Sequence, residues 1–147
     1  MNSAVRVVLD TNTVVSALVW AGTPYALIEA ATEERLELYS SPALIEELTE
    51  VLGRAKFAPR LQQAQRSVAQ LIEQYRGLVE LVEPASIAPT VLNDPDDDQV
   101  LAAALAAQAD LIVSGDEDLR RLGSYQGIPI VSAAQCLQRL GSSESPD

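Results

Sequence analysis

Val5-Arg6-Val7-Val8-Leu9-Asp10 is an apolar, β-branched run broken only by Arg6, and it stops on a carboxylate. A run of that kind reads as a buried strand. Working outward, the same punctuation recurs. A helical stretch from about 14 to 20 leads to Gly22-Thr23-Pro24. There Thr23 can cap a helix that has Pro24 at its first position and runs to about 34. Residues 36–39 are a short strand candidate, and Ser41 caps a helix over Pro42 to Leu52 that Gly53 ends. One helix from about 60 to 77, a strand over 78–82 and a connector over 84–89 follow. An acidic turn over 92–98 opens an alanine-rich helix over 99–108. Residues 111–113 read as a buried strand, 116–122 as a helical turn, 128–131 as a last strand and 133–140 as a last helix. This alternation predicts an α/β domain, a three-layer α/β/α sandwich around a central parallel sheet of about five strands. The 147 residues fit one domain over 1–140, with a polar tail over 141–147.

Nearly half of the residues are apolar, but the aromatics are only Trp20, Phe57 and four tyrosines. The core is therefore built from Leu, Ile, Val and Ala. No apolar run reaches the roughly 18–20 residues of a membrane span, and the N-terminus has no signal-peptide pattern. The single Cys136 cannot form an internal disulfide, so a cytoplasmic location is expected. Histidine is absent and Lys56 is the only lysine. That excludes His-based triads, imidazole bases and zinc sites with His ligands. It also excludes a P-loop, since no glycine-rich loop precedes Lys56.

Carboxylate is what remains in quantity, with a formal charge of −11. In parallel sheets, ligands bind beyond the carboxyl ends of the strands, near the point where strand order reverses. Asp10 closes the first strand. Asp116 and Asp118 follow the strand over 111–113, and Asp94, Asp96, Asp97 and Asp98 crowd before the alanine-rich helix. Val100, Leu101 and Ala104 share the helix face of Asp97, which turns Asp97 inward and rotates Asp98 roughly 100° away. On the helix over 42–52, Glu47 lies at the edge of the stripe made by Leu44, Leu48, Val51 and Leu52, and Glu46 lies farther off it. An Asp at a helix start is commonly only a cap, and a helical Glu is commonly only solvated. The joint placement at strand ends favours chemistry. Carboxylates packed together must take up protons or share a cation. Hard oxygen ligands select Mg2+ or Mn2+, which can activate water for phosphodiester hydrolysis.

Val7-Val8-Leu9-Asp10-Thr11-Asn12 resembles the opening strand of the PIN-domain family. Ser41 to Leu48, with Val51-Leu52 and Lys56-Phe57, resembles its second acidic block. Asp94-Pro95-Asp96-Asp97 with Val100-Leu101 and Ala104 resembles the third, and Ala109 to Asp116 with Asp118-Leu119 the fourth. The blocks stand in family order and cover residues 5 to about 140. The resemblance implies an Mg2+- or Mn2+-dependent endoribonuclease leaving 5′-phosphate and 3′-hydroxyl ends. It carries catalysis and metal ligation onto Asp10, Glu47, Asp97 and Asp116, and supporting roles onto Asn12, Ser114, Asp94 and Asp118. It is similar above all to the bacterial branch that serves as toxins of toxin–antitoxin pairs. An antitoxin protein and a homo-oligomer are the partners this implies.

The charge opposes RNA binding in general, but no acidic residue falls between Val51 and Ile72, where Arg54, Lys56, Arg60 and Arg66 lie. Arg54, Lys56 and Arg60 are therefore RNA-backbone candidates, with Arg120 and Arg121 beside the acidic cluster. Solvated arginines are the plain alternative. Tyr25, Leu27 and Ile28 suit either a dimer contact or the core. Two rival functions exist: a non-catalytic binding module with this fold, and a phospho-acceptor switch at Asp10. The second lacks the lysine that such switches place after a late strand.

Overall fold

Successive side chains of a strand point to opposite faces of its sheet, and here both faces are covered. The computed structural model describes residues 4–20, 22–91 and 95–143. Its strands are β1 (Val5–Leu9), β2 (Leu36–Ser40), β3 (Val79–Leu81), β4 (Leu111–Val113), β5 (Ser124–Tyr125) and β6 (Ile128–Val131). The helices are α1 (Thr11–Val19), α2 (Thr23–Thr32), α3 (Pro42–Leu52), α4 (Ala58–Gln63), α5 (Val68–Arg76), α6 (Pro95–Ala107), α7 (Glu117–Leu122) and α8 (Ala133–Ser143), with a 3-10 turn at Ala55–Phe57.

Val7, Leu9, Leu38, Leu111 and Val113 pack on one face, in a core shared with α1, α2, α3, α5 and α8. Val8, Tyr39, Ile112 and Ile130 pack on the other, beneath α6 and Leu119 of α7. This is the expected three-layer sandwich. The sheet has six strands in the order β3-β2-β1-β4-β6-β5. All neighbours are parallel except β5, which pairs antiparallel with β6. The chain steps outward from β1 to β2 and β3, then returns to place β4 on the other side of β1. The strand order therefore reverses between β1 and β4.

Several elements differ from the sequence expectation. The helix expected over 60–77 is two helices. The end of α4 closes with Arg66 N–H on Leu61 O at 3.0 Å and Gln65 N–H on Gln62 O at 3.1 Å. Gln65 takes the left-handed φ of 55° that such a closure requires. A new helix then starts at Ser67, whose hydroxyl accepts from Gln70 N–H while the Gln70 side chain accepts from Ser67 N–H. Thr23 does not cap α2. The cap is Gly22, at a φ of 128° that side-chain-bearing residues rarely adopt. Helix α1 begins at Thr11, with Asp10 as its cap, and α8 runs on to Ser143. Leu27 and Ile28 belong to the core, while Tyr25 stays 42% exposed. Among the described residues, no single helix is long and apolar enough to cross a membrane.

Candidate active site

Asp10 and Asp116 follow directly from the topology. Leu9 pairs with Val113 in parallel register, so the carboxyl ends of β1 and β4 lie side by side at the reversal point. Asp10 N–H donates to Val113 O at 3.0 Å, and Ser114 N–H donates to Val131 O at 2.9 Å. Both carboxylates also start helices. Asp10 Oδ1 accepts from Thr13 N–H at 2.8 Å, and Asp116 Oδ2 accepts from Leu119 N–H at 3.2 Å. The two candidate site residues are thus also helix caps.

Ser114, fully buried, ties the two together. Its hydroxyl donates to Asp10 Oδ2 and accepts from Asp116 N–H at 2.9 Å. Thr11 donates its hydroxyl to Glu47 Oε1, which brings α3 against the start of α1. On α6, Asp97 is 7% exposed. Asp98 turns the other way, and its carboxylate accepts from Val91 N–H at 2.8 Å and from Thr90 N–H. Among the described residues, Asp97, Asp116 and Asp118 each offer an oxygen within 4.8 Å of the others.

Asp10 and Glu47 are not in that trio. Asp10 adjoins it through Ser114 and feels the charge of Asp116, and Glu47 is held beside Asp10 through Thr11. Asp118, which the sequence places in a supporting role, joins the trio and also pairs with Arg121 at 3.6 Å. Asn12 is exposed. Asp94 lies outside the described residues. Thr11 was not singled out by the sequence. Its signal is weak, because a threonine at the first position of a helix carries no mark of a partner on another helix.

Burial raises the Asp10 pKa above its ordinary value, the hydrogen bonds from Ser114 and Thr13 oppose this, and the Asp116 charge adds to it. Both of its oxygens accept hydrogen bonds, Oδ1 from Thr13 N–H and Oδ2 from the Ser114 hydroxyl. A raised carboxylate pKa means that its contribution to stability is complete below 3.8 and is lost as pH climbs through the folded-state value. In chelator, Asp10→Asn protein is therefore expected to gain in melting temperature relative to wild type as pH rises above 3.8. Thermal melts over that range check this, and a constant gap contradicts it.

The donor set is all oxygen and anionic. Histidine is absent from the chain, and Cys136 is buried in the core. Three carboxylates fit a hard divalent ion such as Mg2+, which keeps several waters, better than zinc. Of the basic residues, Arg54 pairs with Glu50 at 3.7 Å. Lys56 lies over the Phe57 ring at 5.1 Å, and Arg60 over the Trp20 ring at 4.8 Å. Arg120 is exposed on α7, one turn beyond Asp116.

Residues 6–118, most of the chain, match the sequence model of the PIN domain. The chain is also similar to an uncharacterized protein, MJ1680, of Methanocaldococcus jannaschii. That similarity is 26% identity over 119 residues, covering 78% of this chain and 73% of the relative.

Proposed function

Because the chain belongs to the PIN-domain family, whose members are generally nucleases, we propose that it is an endoribonuclease that depends on Mg2+ or Mn2+. The observation that carries this reading is the meeting of Asp97, Asp116 and Asp118 beside the reversal point of the sheet, with Asp10 joined to Asp116 through Ser114. Asp97, Asp116 and Asp118 hold the ion, and Asp10 and Glu47 complete the anionic surround. A divalent ion bound there supplies an acidified water and a counter-charge for the phosphoryl oxygens. Ser114 and Thr11 hold the carboxylates of Asp10 and Glu47 in place by hydrogen bonds. The products are 5′-phosphate and 3′-hydroxyl ends. Resemblance to the toxin branch of the family further supports a role as the toxin of a toxin–antitoxin pair, bound by an antitoxin protein and acting as a homo-oligomer.

The test is incubation of the purified protein with end-labelled single-stranded RNA in Mg2+, in Mn2+ and in chelator. Cutting in either ion that stops on chelation is the expected result. Intact RNA in both ions, or equal cutting in chelator, removes the hydrolytic reading.

A further inference from the structure

Trp20 is 47% exposed, an uncommon place for the largest apolar side chain of the protein. Its neighbour explains the position. Arg60 of α4 donates Nε–H to Val19 O at 3.2 Å, and its guanidinium lies 4.8 Å from the centre of the indole. That backbone anchor spends one nitrogen and leaves the terminal nitrogens of the guanidinium for an anion. Among the described residues, neither Arg60 nor Lys56 pairs with a carboxylate. Both lie in the segment from Val51 to Ile72, which has no acidic residue in a chain of net charge −11. An exposed indole with a fixed cation over one face matches a nucleobase on the other face and its adjoining phosphate, the pairing by which single strands are held.

Asp10 caps the start of α1 and Trp20 caps its end. The nine residues between them span about 14 Å. The indole and the acidic site therefore stand at opposite ends of α1.

We propose that Trp20 and Arg60 form a stacking ledge for single-stranded RNA, the indole taking a base and Arg60 the adjoining phosphate. This rests on the ribonuclease reading and adds to it where the substrate strand lies.

Trp20 is the only tryptophan, so its emission reports the ledge alone. The experiment titrates Asp116→Asn protein in Mg2+ with a short fluorescein-labelled single-stranded RNA, following label anisotropy and tryptophan emission together. Emission is expected to fall along the same curve as anisotropy rises. Trp20→Ala weakens binding about 5- to 10-fold, the scale of a single stacked base, and Trp20→Phe retains most of it. Arg60→Ala lowers the slope of log affinity against log salt by about one. RNA that binds with emission unchanged, or equally well to Trp20→Ala, overturns the ledge while leaving the nuclease reading intact. An emission change that tracks protein concentration without RNA assigns the surface to a protein contact and also overturns it. RNA that is neither bound by this variant nor cut by the wild-type protein brings down both readings.

Discussion

Asp97→Asn is expected to lower metal-dependent RNA cleavage by more than about 100-fold, beyond the roughly 10- to 100-fold cost of a residue that only supports a ligand. Asp97 is the buried member of the trio. Asparagine keeps its shape and one carbonyl oxygen, yet removes the charge that a hard cation requires. The fold is expected to survive. Without metal, Asp97 repels Asp116 and Asp118, so the variant melts at or above wild type in chelator. Single-turnover cleavage of labelled RNA together with thermal melting separates the two effects. Activity within about tenfold of wild type removes Asp97 from the ligand set.

The second large effect concerns the helix that carries Asp97. Leu101 stands four residues further along α6, is fully buried, and packs in the core with Val8 and Ile112. Leu101→Ala removes three carbons from a close-packed interior and leaves a cavity, at a cost of about 3 kcal/mol. For a domain of this size that lowers the melting temperature by about 6–12 °C. Calorimetry checks it. A shift below about 2 °C would mean that α6 repacks freely and does not fix Asp97 against the sheet.

Much of this architecture was legible from single residues. The strand β1 is buried on both faces, so it reads as a continuous β-branched run, and Asp10 stands out by ending it. The 100° step between neighbours on a helix separates Asp97, turned inward, from Asp98, which holds the amides of Thr90 and Val91. The failures have physical causes. The break between α4 and α5 uses Gln65 where a glycine is the usual signal, so the pattern runs on across it. Strand β5 has only two residues. Its turn to β6 passes through Gln126 and Gly127, both at positive φ, where Asn-Gly would have marked a hairpin. In the site, the buried Thr11, which the sequence did not single out, meets Glu47. A hydroxyl bridging two helices leaves no trace in apolar periodicity. Asp118 enters the trio because α7 starts at once after Asp116, a closeness that depends on where the short helix begins.

The double duty of Asp10 and Asp116 has a consequence for how such a protein can change over generations. Asparagine begins a helix about as well as aspartate does, and a single nucleotide exchange converts one codon into the other. Loss of hydrolysis and loss of shape are therefore separable at these positions. A descendant with a silent centre would keep every surface by which other molecules recognise the parent, and so could act as its competitor.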